Sequence, residues 1–250
     1  MANRLLNALL SKPWEESRKL PVNGRLAWYT GPPSQHLWTE HWGGVDLASP
    51  LTDARRSRYP HRLLLRRLLP ANGRVIEAGC GPAHIVLGLQ RDGYQAIGIE
   101  WSEEVVRRVK VLAPECRIQQ GDVRRLDFPD GYANGYISLG VVEHFPEGPE
   151  AILTEARRVL ADGGWLILSV PHFNPWRQWK ARHELYEPPA VPPDPAHFYQ
   201  YAFRAEEMTK TLEGLGFEVV DTDGLGVLFG FGREFGRSVL ITCRSRRISI

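Results

Sequence analysis

An apolar run that ends in a carboxylate and then breaks into two glycines one residue apart, V-I-E-A-G-C-G-P at residues 75–82, constrains this chain more than any other feature. The run reads as a buried strand. Gly79 and Gly81 let the backbone after it turn sharply and approach a ligand closely, because neither carries a Cβ. The next apolar run closes in a second carboxylate, Glu100. An acid at the end of the strand that follows a Gly-rich turn is placed to accept hydrogen bonds from a ribose diol. The pairing predicts a nucleoside-bearing ligand held at the carboxyl ends of strands in an α/β sheet.

The turn also constrains the other end of that ligand. A dinucleotide site reads G-x-G-x-x-G and rests a pyrophosphate on a helix N-terminus. Here His84 stands where the third glycine would be, and Glu77 precedes the turn. A carboxylate at that point repels a pyrophosphate and suits a cation. S-adenosylmethionine carries an adenosine, an ammonium and a sulfonium but no phosphate, so it fits the acid-turn-acid pattern better than NAD.

Further segments follow in order: G-I-E-W-S at 98–102, G-D-V at 121–123, Y-I-S-L-G-V-V-E-H-F at 136–145, and L-A-D-G-G-W-L-I-L-S-V-P at 160–171. With the glycine turn, these resemble the class I S-adenosylmethionine-dependent methyltransferases over about residues 60–171, with a weaker match at the C-terminus. The resemblance implies a Rossmann-like three-layer α/β sandwich. Its seven-stranded, mostly parallel sheet would carry an antiparallel C-terminal edge strand, with N-terminal and inserted cap segments added.

The 250 residues suit one large α/β domain, and 43% hydrophobic and 24% charged residues are ordinary for a globular chain. A net charge of +2 is too small an excess to imply nucleic acid. Cys80, Cys116 and Cys243 have no C-x-x-C spacing, which suits a reducing cytosol and offers no disulfide framework. The apolar stretch at residues 5–10 is short for a secretory signal, and no run reaches the length that spans a bilayer. The expectation is a cytoplasmic protein, monomeric or homodimeric, without membrane contact.

Alternating short apolar runs and helical patterns predict strands at 74–77, 95–100, 116–120, 135–139 and 164–170, with helices at 59–69, 82–91, 102–112 and 149–160. Asp162-Gly163-Gly164 is read as the turn that closes the last of these helices. A helix at 204–215 and strands at 217–221 and 238–244, joined by a loop at 224–236, complete the domain. Residues 1–58, rich in Trp, His and Pro, are expected to form an N-terminal cap segment on a methyltransferase domain at 59–250. A lid insertion is expected at about 172–200, and both additions should cover the ligand-binding rim of the sheet.

The resemblance assigns the cofactor residues. It implies that Glu77, Gly79, Cys80 and Gly81 surround the methionine part, although Glu77 could instead cap the following helix. Glu100 would take the ribose hydroxyls. Trp101 would flank the adenine or fill the core, and the Asp122 carboxylate would accept the adenine amino group, helped by the Val123 N–H, or form a simple turn. Leu139 and Gly140 would line the sulfonium, with His144 beside the cofactor. No metal is implied, since the histidines are dispersed and no paired-acid spacing presents a ligand set.

Methyl transfer is an in-line displacement, and a hydroxyl acceptor must also lose its proton, for which a histidine is suited near neutral pH. The candidates are His172, at the end of the 160–171 segment, with His197 and Tyr199 in H-F-Y-Q-Y-A-F. The aromatic, Pro-rich segments suggest a small-molecule or saccharide acceptor methylated at oxygen. Rival readings are an RNA or protein methyltransferase, resting on the arginines at 55–67 and 244–247, a non-catalytic cofactor-binding regulator, and a nicotinamide dehydrogenase. The arginine run could equally be a solvated helix face.

Overall fold

A computed structural model describes residues 18–30, 32–186, 195–225 and 237–246. The described chain opens with a hairpin, β1 (Arg18–Val22) and β2 (Arg25–Tyr29), turned at Asn23 and Gly24, both at positive φ. Asn-Gly in that conformation is the two-residue turn whose twist matches paired strands. Three helices follow, α1 (Gln35–Gly43), α2 (Ala48–Arg55) and α3 (Arg62–Leu68). Strands and helices then alternate: β3 (Arg74–Ala78), α4 (His84–Arg91), β4 (Gln95–Glu100), α5 (Glu103–Leu112), β5 (Ile118–Gln120), β6 (Ala133–Leu139), α6 (Glu150–Val159) and β7 (Leu160–Pro171). The remainder comprises α7 (Pro175–Arg182), β8 (Phe198–Ala202), α8 (Ala205–Gly214), β9 (Phe217–Leu225) and β10 (Ser238–Ser245).

Seven strands form one sheet in the order β5-β4-β3-β6-β7-β10-β9. Strands β3 to β7 pair in parallel, while β10 runs antiparallel to both β7 and β9. The reversed C-terminal strand is thus β10, second from the edge, and β9 is outermost. Alternate residues of each central strand feed two cores. Val75, Ile137 and Ile167 face a layer holding Leu51, Leu65, Leu87 and Val109, whereas Ile76, Tyr136 and Leu166 face one holding Ile152, Ala156, Met208 and Leu212. Burial on both faces explains why these strands read as unbroken apolar runs. The order reverses between β3 and β6, which opens a crevice at their carboxyl ends, where such sheets bind ligands.

The chain departs from the sequence reading at Asp162-Gly163-Gly164. Helix α6 ends at Val159 with Leu160 already extended, and the glycines lie inside β7, where the register slips from Ala133↔Leu160 to Gly135↔Trp165. They form a bulge in a strand: Gly163 sits at φ +72°, and a Cβ on Gly164 would stand 2.8 Å from the Ala161 carbonyl.

The N-terminal hairpin and the segment after residue 172 are joined by hydrogen bonds. Strand β8 pairs antiparallel with β2, matching Leu26 to Ala202 and Trp28 to Gln200, to give a second sheet, β1-β2-β8. Helix α7 covers one face of it through Ala181, against Leu26, Phe173 and Ala202. The Asn174 side chain caps α7 by accepting the Arg177 N–H at 2.9 Å, and Pro175 occupies its first turn. The loop expected at 224–236 and the Pro-rich stretch at 188–195 lie largely outside the described residues.

Candidate active site

Strand β3 ends at the glycine turn. The N–H groups of Gly79 and Cys80 both donate to the Ile99 carbonyl, at 2.8 and 3.0 Å, which ties the turn to β4. Gly79 lies at φ +74°, and a Cβ there would stand 2.4 Å from Val141; Gly81 lies at φ +48°, and a Cβ would stand 2.7 Å from the Trp42 ring. Both positions therefore require glycine, by conformation and by space.

Strand β4 delivers Glu100 beside this turn. Its Oε2 accepts the Gly81 N–H and its Oε1 the Ser102 N–H, each at 2.9 Å. Burial raises its pKa, and the backbone N–H groups of Ser102, Gly81 and Trp101 oppose that rise. Ser102 caps α5 by accepting the Val105 N–H. Its hydroxyl also shares a 2.7 Å hydrogen bond with Thr39 on α1, and Arg108 of α5 donates to the Trp42 carbonyl at 2.6 Å. The N-terminal helix is thereby fastened across the strand ends of its own chain.

Glu77 lies behind the turn, 5% exposed. Burial pushes its carboxyl up to about 8; a hydrogen bond from the Val86 N–H in the first turn of α4 opposes the rise, and repulsion from Glu100 adds to it. Glu77 therefore does cap the helix, but only in part, since its Oε2 has no hydrogen-bond partner among the described residues. Glu143, in the short 3-10 turn Val142–His144 after β6, repeats the pattern. It is 3% exposed, burial holds it at about 8, and its Oε2 is likewise unpartnered. Its other oxygen lies 3.6 Å from where a Cβ on Gly140 would be.

Between these groups and α1 lies a cavity of about 420 Å³, within the range of small-molecule sites. One end is formed by Gly79, Gly81, Glu100, Trp101, Asp122 and Val123, and Leu139, Gly140 and Val141 form the floor. The other end is closed by Pro32, Pro33, Trp38, His144, Phe145 and Phe198. Of the cofactor residues expected from sequence, only Glu77 and Cys80 do not line the cavity; both are buried behind the turn, and burial raises the Cys80 thiol well above its usual value.

The three candidate bases are placed differently. His172 is buried, donates its backbone N–H to the Arg237 carbonyl and bridges Phe203, and it does not line the cavity. His197 is exposed at the end of a 3-10 turn whose neighbours Ala196 and Phe198 do line it. Tyr199 does not line the cavity but positions a residue that does: its carbonyl accepts a 2.9 Å hydrogen bond from His144 Nδ1, and its ring sits edge-on, 4.9 Å from the imidazole. The imidazole at the cavity is therefore His144. Burial lowers its pKa to about 4, with the Tyr199 carbonyl opposing and His41 reinforcing the shift. Since a carbonyl cannot donate, Nδ1 carries the proton and Nε2 the lone pair.

Sequence reasoning missed Trp38, Trp42 and Arg124. Trp38 stands edge-on to His144, with ring centroids 4.8 Å apart. Arg124 grips Asp122 at 2.6 Å and lies 5.5 Å above the Phe145 ring, so Asp122 meets the cavity as half of an ion pair. The Arg124 bond holds the Asp122 carboxyl below its usual range. The W-x-x-x-W spacing of Trp38 and Trp42, which puts both rings on one helix face, was the available signal.

Comparison with known proteins places these features in context. A family described as a methyltransferase domain matches residues 52–222. A Mycolicibacterium smegmatis protein named "probable S-adenosylmethionine-dependent methyltransferase" is 30% identical over 177 residues, covering 69% of this chain and 62% of its own length. The chain thus spans about three fifths of that curated relative. A ubiquinone biosynthesis O-methyltransferase of Xanthomonas axonopodis is 26% identical, over 64% of this chain and 68% of its own length. The crystal structure of a SAM-dependent methyltransferase from Methanosarcina mazei superposes with a TM-score of 0.60 at 20% identity, over 75% of this chain and 98% of its own, a likeness of fold.

Proposed function

Given that this chain belongs to the class I S-adenosylmethionine-dependent methyltransferase family, we propose that it methylates a hydroxyl of a small-molecule or saccharide acceptor bound beside His144. The observation that carries this reading is an imidazole at the cavity wall whose tautomer is set by the Tyr199 carbonyl.

The residues present fit the family's cofactor. Gly79 and Gly81 bring bare backbone to the cavity wall, Glu100 faces the same end for a ribose, and Glu77, behind the turn, holds an unpartnered carboxyl oxygen suited to an ammonium. S-adenosylmethionine supplies, when bound, an electrophilic methyl on a positively charged sulfur. The chain's own contribution is to align the acceptor, exclude water with Trp38, Trp42 and the proline pair, and take up a proton at His144 Nε2. The low pKa keeps that nitrogen unprotonated at every physiological pH. Weak basicity suffices, because a hydroxyl that is acquiring a methyl group becomes strongly acidic. Pro32, Pro33, Phe145 and Phe198 offer an apolar wall for a ring-shaped acceptor.

The nucleic-acid alternative loses part of its basis, since Arg55 is paired with Glu115, Arg62 with Asp92 and Arg246 with Glu218. The test is incubation with methyl-labelled cofactor and a panel of hydroxyl-bearing metabolites and saccharides, read as a one-methyl mass shift. His144→Asn should lower turnover by about 100-fold while S-adenosylhomocysteine affinity stays within about threefold. Turnover in that variant near the parent's would remove His144 as the base. Cofactor binding without product from any acceptor would favour the regulator.

A further inference from the structure

Helix α7 reads P-W-R-Q-W-K-A-R, with three cations and no acid. Its inner side is already occupied by the packing of Ala181 on the small sheet. Its outer side is not: Trp176 and Trp179 are 51% and 39% exposed, and their rings stack 4.9 Å apart at 4°. His183 extends the column at 4.4 Å from Trp179, and Leu185 beyond it is 55% exposed. Fold stability does not require two indoles and a leucine in water.

The charges on α7 and on the hairpin beside it are of one sign, although Glu184 stands exposed between His183 and Leu185. Lys180 Nζ lies 5.4 Å from the Trp176 ring, while Lys19 Nζ and Arg177 Cζ lie 5.2 and 5.5 Å from the Trp28 ring. The Lys19 ammonium is pushed below its usual value by burial and by the nearby charges of Arg177 and Lys180. Among the described residues, no carboxylate forms an ion pair with Lys19, Arg177, Lys180 or Arg182. The Trp28 indole N–H is buried there without a hydrogen-bond acceptor among the described residues.

We propose that the outer face of α7, with Lys19 beside it, docks the protein onto an anionic lipid surface. Indoles and an exposed leucine enter the headgroup boundary while lysine and arginine heads meet lipid phosphates, the pattern of helices that lie in a membrane interface. The described residues contain no helix long and apolar enough to cross a membrane, so the contact is at the surface. A nucleic acid fits the face less well, because the two indoles stack on each other and Leu185 offers no stacking surface. Strand β8 joins this face to the cavity, since Gln200 pairs with Trp28 and Phe198 lines the cavity wall.

The experiment is co-sedimentation of the full chain with vesicles of phosphatidylcholine alone or with about one third phosphatidylglycerol. The parent should partition to the anionic vesicles only, and added salt should release it. W176A/W179A should lower that partitioning by about tenfold or more, and K19Q/K180Q/R182Q should do so by a comparable factor. Melting temperatures near the parent's would confirm that both variants fold. Equal partitioning of the parent to neutral and anionic vesicles overturns the proposal, as do variants that bind like the parent. Two other results also overturn it: binding to single-stranded RNA in place of vesicles, and a dimer that W176A/W179A dissolves.

Discussion

The proposed place of Glu77 at the cofactor's ammonium predicts that ligand affinity depends on pH. In the ligand-free protein burial holds its carboxyl at about 8, so at about pH 6 roughly 1% of molecules carry the charge that an ammonium needs, and at about pH 8 roughly half do. A cation seated on the unpartnered oxygen draws the pKa back down, so binding releases a proton wherever the free carboxyl is protonated. Affinity for S-adenosylhomocysteine, which has an amino-acid ammonium but no sulfonium, should therefore rise about 50-fold between those two values, or roughly 2 kcal/mol. Titration calorimetry in buffers of different ionisation enthalpy measures both quantities. Near pH 6 close to one proton should leave per ligand bound, and few should leave well above pH 8. Glu77→Gln should weaken binding at high pH and flatten the whole dependence. A parent protein whose affinity is level across this range, with no proton released, would refute the assignment of Glu77 to the ammonium.

Two further outcomes follow from the same geometry. Gly79→Ala places a methyl against Val141 in a left-handed backbone conformation; it should cost about 2–4 kcal/mol and abolish detectable S-adenosylhomocysteine binding, as thermal melts with and without ligand would show. Glu143 has a folded-state pKa raised to about 8, so the stability it contributes is complete below the unfolded-state value and is lost as pH rises through the folded one. Glu143→Gln should therefore raise the melting temperature by several degrees at about pH 9 and much less at about pH 5.

The seven-stranded core was legible because its strands are buried on both faces and its helices begin and end on recognisable signals. Residues 95–100 form β4 as expected, and Ser102 caps α5 with Glu103 and Glu104 in its first turn. The small sheet was less legible. Asn23-Gly24 does announce a hairpin, but β1 and β2 are short, and what stabilises them is β8, far away in sequence. The site shows the same division. The glycines and Glu100 are local consequences of a turn, so they could be read in order. Choosing among His144, His172 and His197 depends on which strand end faces the crevice and which side chain meets a carbonyl from another element. His172 lies away from the cavity lining, because the chain after β7 pairs with Phe203 and Arg237.

Glu77 and Glu143 bear on function through what they cost. Glu77 lies near the end of β3, and Glu143 follows its parallel neighbour β6 in the 3-10 turn Val142–His144. Each buries a carboxyl oxygen that no described residue bonds, an arrangement that lowers stability by about 1–3 kcal/mol per group even when the acid is protonated. An apolar side chain would fill the same space without that cost, and a glutamine would at least avoid the cost of ionisation at high pH. An isolated case could be an accident of packing, yet a second such carboxyl follows the neighbouring strand, and the family's cofactor carries a cation at each of two points. Positive charge is what relieves a pair of carboxyls held above their normal pKa, and a neutral ligand would leave both penalties in place. The stability gained by Glu143→Gln should therefore come with weaker binding of the sulfonium cofactor than of its uncharged thioether product, a selectivity that paired calorimetric titrations of parent and variant would reveal.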